Sequence, residues 1–101
     1  MGTATLRLPP WMELYREEIK RIIVKRHARN IRLFGSQARG EAGPDSDVDL
    51  LVSFDETASL LDQVALIYDL EDLLKRKTDV VSDRGLTDLF RMSIENEVVP
   101  L

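Results

Sequence analysis

Ser46-Asp47-Val48-Asp49-Leu50-Leu51-Val52-Ser53-Phe54 begins by alternating polar and apolar residues and then runs continuously apolar. That is the pattern of a central strand covered on both faces. Upstream, Asn30-Ile31-Arg32-Leu33-Phe34 is a short β-prone run that stops at Gly35, which reads as a first strand. Downstream, Ser59 caps a long helix with Leu60, Val64, Ile67, Leu70 and Leu74 as one stripe. The helix ends in Lys75-Arg76-Lys77, where cations complement its dipole, and Thr78-Asp79-Val80-Val81-Ser82 reads as a third strand. A full helix between the second and third strands permits a parallel crossover. The first and second strands are joined only by Gly35 to Asp45, which favours an antiparallel or mixed arrangement. The expected architecture is an α/β domain with a small mixed β-sheet flanked by helices.

The flanks extend this reading. Pro9-Pro10 suits a helix start, and Met12, Tyr15, Ile19, Ile22 and Ile23 recur at helical spacing, which predicts a first helix over 10 to 28. His27 then falls in its last turn, and Trp11 and Tyr15 read as packing or interface residues. Thr87 can cap a last helix with Phe90, Ile94 and Val98 turned inward. At 101 residues the chain suits one domain, 1 to 101, since separate domains rarely fall below about 50 residues.

Composition narrows the chemistry. With 44% hydrophobic and 32% charged residues, 5 Gly and 4 Pro, the chain is neither disordered nor collagen-like. Zero cysteines remove disulfides, thiolate zinc sites and cysteine nucleophiles, and one histidine removes polyhistidine metal sites. No run approaches the roughly 20 apolar residues of a membrane span, and the opening Met1 to Arg7 lacks a signal-peptide apolar core. A cytoplasmic protein without membrane attachment is the expectation. Charge is unevenly spread: residues 1 to 40 hold 9 Lys/Arg against 3 Asp/Glu, and residues 41 to 101 hold 5 against 15. The asymmetry of +6 before −10 favours self-association, a complementary partner or a bound nucleotide, and argues against duplex nucleic acid.

Asp47 and Asp49, two apart at the start of a strand, project to one face. At about 5 Å and an effective dielectric of about 20, such a pair repels by roughly 3 kcal/mol unless a cation relieves it or water bathes it. Oxygen ligands without thiolate or histidine select Mg²⁺ or Mn²⁺. A D-x-D alone is a weak signal, since strand ends often carry solvated acid pairs. Asp45, Asp47, Asp49 and Glu56 also match positions of a calcium loop, but Leu50 stands where that loop needs glycine. Gly35-Ser36-Gln37-Ala38-Arg39-Gly40 directly follows a strand and can open a short helix. Its free amides, the Ser36 hydroxyl and Arg39 would suit an anion, while the bland reading is a plain turn. The run is not a Walker loop, because Glu41 stands where a lysine should follow Gly40. A phosphate cradle about ten residues before a carboxylate pair, with Asp79 on another strand, supplies what metal-assisted nucleotidyl transfer requires.

Gly35-Ser36-Gln37-Ala38-Arg39-Gly40 followed by Asp45-Ser46-Asp47-Val48-Asp49-Leu50 resembles the signature of minimal nucleotidyltransferases of the DNA polymerase beta-like superfamily. Thr78-Asp79-Val80-Val81 and Arg84-Gly85-Leu86 are similar as well, so the resemblance spans nearly all of residues 10 to 101. It implies that Asp47 and Asp49 are metal ligands and that Asp79 is the third carboxylate, acting as ligand or as base. Gly35, Ser36 and Arg39 would contact nucleotide phosphates, with two Mg²⁺ ions, or Mn²⁺, as cofactors and ATP as substrate. The resemblance further implies the antitoxin half of a toxin–antitoxin pair that transfers AMP to a tyrosine of a HEPN-family toxin within a hetero-oligomer. The competing expectations are an antitoxin that only masks its toxin by binding, and nucleotide transfer to a small molecule or RNA.

Overall fold

The computed structural model describes residues 6–43, 45–84, 86–95 and 97–101, so Gly85 of the resemblance lies outside the described residues. The chain runs α1 (Pro10–Glu13), α2 (Arg16–Lys25), β1 (Ala28–Phe34), α3 (Ser36–Arg39), β2 (Val48–Phe54), α4 (Leu60–Leu74), β3 (Thr78–Ser82), α5 (Asp88–Glu95) and β4 (Val99–Pro100). One four-stranded sheet has the order β3-β2-β1-β4. β2 pairs antiparallel with β1 and parallel with β3, and α4 makes the parallel crossover, so the mixed sheet is as expected. Burial explains the placement: every residue of β2 except Asp49 is buried, which is why its apolar run is unbroken. Leu50 at the sheet centre also disposes of the calcium-loop alternative.

Below the sheet, Leu33, Val48, Leu50 and Val52 pack with Met12 and Ile19 from the first helices and with Leu66 and Leu70 from α4. Ser59 forms the expected cap as a reciprocal box: Asp62 N–H donates to Ser59 Oγ at 3.3 Å, and Ser59 N–H donates to Asp62 Oδ2 at 2.9 Å. α4 also covers the open edge of β3. Its Glu71 accepts from Thr78 N–H at 3.0 Å, and its Gln63 Nε2 donates to Val80 C=O at 3.2 Å, so that edge is not left as a free template.

Several expectations are corrected. The helix predicted over 10 to 28 is two helices, because Tyr15 N–H bonds Met12 C=O in a tightened turn before the α ladder resumes at Ile19. The apolar spacing passes through that break unchanged, which hides it from pattern reading. α2 ends at Lys25, and His27 stands outside it with φ 61°, leading into a first strand that starts at Ala28. On α4 the buried stripe is Leu66, Leu70 and Leu74, whereas Leu60 and Val64 face outward. The helix is apolar on more than one side, and the side that turns in buries Leu66, Leu70 and Leu74 while setting Gln63 and Glu71 against the β3 edge. Thr87 Oγ1 accepts from Phe90 N–H at 3.2 Å as the cap of α5, and Ile94 is buried, but Val98 lies beyond the helix. β4 was not foreseen: two residues ending in proline carry no strand signal, and they pair only at the sheet edge, with Leu33 facing Val99. Among the described residues no helix is long and apolar enough to cross a membrane.

Candidate active site

Three strands bring the candidate residues into one row. Phe34 on β1 faces Asp49 on β2, and Asp49 faces Asp79 on β3. Residues directly opposite in a ladder share a face, so Asp49 and Asp79 lie side by side on the face away from the helical core. Asp47 sits one residue before β2, half-buried, and Asp79 is exposed. Val48 N–H donates to Lys77 C=O at 2.9 Å, fixing the start of β2 beside the start of β3 and with it both carboxylates.

Gly35 ends β1 and turns the chain into α3. Its φ of 76° and ψ of −157° belong to a region open essentially to glycine. A side chain there would also collide with the Asp49 carboxylate, whose Cγ would lie 3.3 Å from the added Cβ. Both constraints come from one fact: the backbone after β1 passes directly against Asp49. Ala38 and Arg39 N–H bond back to Gly35 C=O at 3.1 and 3.2 Å, so α3 starts at Ser36 beside that carboxylate. Buried Gln37 holds the far side, donating from Nε2 to Ser46 C=O at 3.4 Å and so tying α3 to the loop before Asp47. Ser46 Oγ in turn accepts from Gly43 N–H at 2.9 Å, closing that loop.

Electrostatics reports the same convergence. Asp49 is pushed above the ordinary carboxylate value of 3.8, first by burial, then by the charges of Asp79 and Asp47, with Arg39 acting in the opposite direction. Arg39 is engaged by two carboxylates, with Nε at 3.0 Å from Glu41 Oε2 and a terminal nitrogen at 3.3 Å from Glu97 Oε2. Among the described residues no three acidic or histidine side chains are closed tightly enough to hold a metal ion as they stand. All-oxygen donors on one open face nevertheless match the chemistry of a hard divalent cation.

Sequence reading missed three participants. Gln37 gave no signal beyond its place in the turn, and Glu41 and Glu97 reach Arg39 only through folding, from positions 2 and 58 residues away in sequence. A second polar group lies further along the same face. Arg32 donates to Ser53 Oγ at 3.0 Å and to Asp83 Oδ2 at 3.3 Å, and the Ser53 hydroxyl also donates to Asp83.

The family model described as the nucleotidyltransferase domain matches residues 16–100. The chain belongs to that family. This nucleotidyltransferase domain is 45% identical over 71 residues to the protein adenylyltransferase MntA of Thermococcus cleftensis, covering 70% of this chain and 72% of the relative. It superposes on the solved structure of a candidate minimal nucleotidyltransferase with a TM-score of 0.81 at 43% identity, covering 89% of this chain and 92% of that one. It also shares its fold with the structure of the MNT antitoxin in complex with a tri-AMPylated Shewanella oneidensis HEPN toxin. There the TM-score is 0.67 at 20% identity, with 87% of this chain and 69% of that one covered. The mixed sheet with flanking helices is thus the minimal nucleotidyltransferase fold.

Proposed function

We propose that this nucleotidyltransferase domain transfers AMP from ATP to a hydroxyl of a partner protein, a tyrosine of a HEPN-family toxin, and so acts as the antitoxin. The observation that carries the reading is the row of Asp49 and Asp79, with Asp47 beside it and the Gly35–Ser36 turn pressed against Asp49. A relative is named as a protein adenylyltransferase, and a neighbour in fold is an antitoxin bound to an AMPylated toxin.

In this reading Asp47 and Asp49 hold Mg²⁺, or Mn²⁺ in its place, with Asp79 completing the set. When bound, the ions neutralise phosphate charge and lower the barrier to forming and breaking phosphorus–oxygen bonds. Ser36 and the first amides of α3 hold the phosphates together with Arg39, which exchanges its bonds to Glu41 and Glu97 for phosphate oxygens. Asp79, the exposed member of the row, takes the proton from the acceptor hydroxyl. The hydroxyl oxygen bonds the α-phosphorus, the bond between that phosphorus and the bridging oxygen breaks, and pyrophosphate leaves. What the residues contribute is placement of two reactants and a base on one sheet face.

The test is incubation of the chain and a co-expressed HEPN protein with ATP and Mg²⁺, followed by mass spectrometry of the acceptor. AMP should appear on a tyrosine, and Asp47→Asn should abolish it. Neutralisation that survives Asp47→Asn with no AMP on the toxin would replace this reading by one in which binding alone suffices. Labelling of RNA or a small molecule in place of the protein would reassign the acceptor.

A further inference from the structure

The face that carries Asp49 and Asp79 continues past them. On β2 the same face holds Leu51 and Ser53, and on the β3 side it reaches Asp83, whose N–H extends the ladder to Val52 C=O at 3.0 Å. α5 covers this part incompletely. Its Phe90 packs edge-on against Phe34 with ring centroids 6.3 Å apart, and beside that contact a cavity of about 170 Å³ remains. Its apolar lining is Leu51, Leu86, Ile94 and Val98, and its polar lining is Arg32, Asp83 and Arg91. Apolar cavities of about 150 Å³ accept a benzene ring, so there is room for one aromatic side chain.

Charge restricts the occupant. Asp83 is satisfied by Ser53 and Arg32. Arg91 is exposed, and among the described residues its guanidinium has no ion-pair partner. Arg91 therefore brings to this mixed polar and apolar cavity a positive charge with no ion-pair partner among the described residues. Position restricts it further. At about 3.3 Å per residue, Leu51 lies about 7 Å along the strand from Asp49, and Asp83 about 13 Å from Asp79. An extended peptide whose hydroxyl-bearing residue sits at Asp79 would place a residue two to four positions away over this cavity.

We propose that this cavity is the docking site for the acceptor protein: a segment with an aromatic residue that fills it, an acidic residue that pairs with Arg91, and the acceptor hydroxyl two to four residues away. The assignment rests on the transfer reading above and adds to it a sequence preference around the acceptor. Carboxylates set the chemistry at one end of the face, and the cavity selects what is delivered to them. An acid beside the aromatic gains a charge-assisted bond to Arg91, whereas a lysine there meets like charge.

The test uses three peptides, Tyr-Ala-Glu-Phe, Tyr-Ala-Lys-Phe and Tyr-Ala-Glu-Ala, titrated into the full chain and followed by NMR. The acidic aromatic peptide should bind at least about tenfold more tightly than either of the others, a difference of about 1.4 kcal/mol. Arg91→Glu should invert the preference between Glu and Lys, and Val98→Phe, which fills the cavity from its wall, should abolish binding of all three. With the HEPN protein as acceptor, Arg91→Glu should raise KM for that protein about tenfold and leave kcat in place. Equal binding of the three peptides, or none, overturns the proposal. So does an Arg91→Glu variant that weakens ATP and spares the peptides, since the cavity would then serve the nucleotide. Peptide binding with the expected preference but no AMP on any acceptor would keep the docking site and overturn the transfer reading. AMP transfer without the preference would do the reverse.

Discussion

Two aspartates bracket β2, and the fold treats them in opposite ways. Asp55 follows the last residue of the strand and is met by donors from its own loop: Thr57 N–H at 2.8 Å and the Thr57 hydroxyl at 2.6 Å, both to Oδ1. Those bonds, with His27 nearby at 3.9 Å, hold its carboxyl below the ordinary value. Asp49, near the first residue, receives burial and two like charges, and its carboxyl lies above the ordinary value. A carboxylate that the chain supplies with donors is a structural part. One that the chain desolvates and surrounds with other acids is better satisfied by a proton or a bound cation, which marks it as a candidate functional group.

The sharpest way to break this contrast is to remove a charge from each end. Asp79→Asn removes the proton acceptor proposed above for the carboxylate row, and on that proposal AMP transfer should fall by about 10² to 10⁴-fold. Asp55→Asn at the other end should leave transfer within about twofold of the parent, since among the described residues its side chain meets Thr57 and His27 and no member of the row. Initial rates with saturating ATP and partner measure both. A comparable loss from both substitutions would mean that the two ends are not separable.

Next in size is Gly35→Ala. An alanine at φ 76° and ψ −157° costs about 1–3 kcal/mol in backbone strain, and its methyl would press on the Asp49 carboxylate. Thermal unfolding should drop accordingly, and transfer should fall further than the loss of stability explains, because the carboxylate must move. The control is Gly40→Ala: its φ of 73° and ψ of 20° lie in the left-handed region, where an alanine is strained but less than at Gly35, and nothing lies within 4 Å of an added Cβ. Equal losses of transfer in both variants would reduce Gly35 to a turn residue.

The contrast also marks what could be read in the sequence. β2, β3 and α4 were legible because each signals itself locally: an unbroken apolar run, a β-branched run, and a cap with helical spacing. The acidic pair was legible for the same reason, as two residues apart on a strand share a face whatever the tertiary fold. The proximity of Asp79 to the pair came through resemblance, and the parallel register then placed it opposite Asp49. What local pattern could not give was anything decided by which surfaces meet. The outward turn of Leu60 and Val64 accompanies the burial of Leu66, Leu70 and Leu74 and the contacts of Gln63 and Glu71 with the β3 edge. The break at Leu14–Tyr15 leaves hydrophobic spacing untouched. The grip of Glu97 on Arg39 and the cavity under α5 exist only once distant segments are packed together.

The smallest effect is also the most direct measure of the two environments. Asp49, with its raised folded value, contributes stability that is fully present below its unfolded value of 3.8 and is lost as pH rises through the raised one. Asp55 has a lowered folded value, so its contribution is present above 3.8 and is lost as pH falls through the lowered one. At neutral pH and without Mg²⁺, Asp49→Asn should therefore raise Tm and Asp55→Asn should lower it. The Asp49 difference should shrink toward zero as the pH is taken below 3.8, where that carboxyl is protonated in folded and unfolded chains alike, and the Asp55 difference should persist to lower pH, until its lowered folded value is passed as well. Adding Mg²⁺ with ATP should reverse the sign at one end only: the parent should gain Tm, Asp49→Asn should gain less, and Asp55→Asn should gain as much as the parent. Two substitutions that shift Tm in the same direction at neutral pH would show that the chain satisfies both carboxylates alike, and the distinction between a structural and a reserved acid would fail at its source.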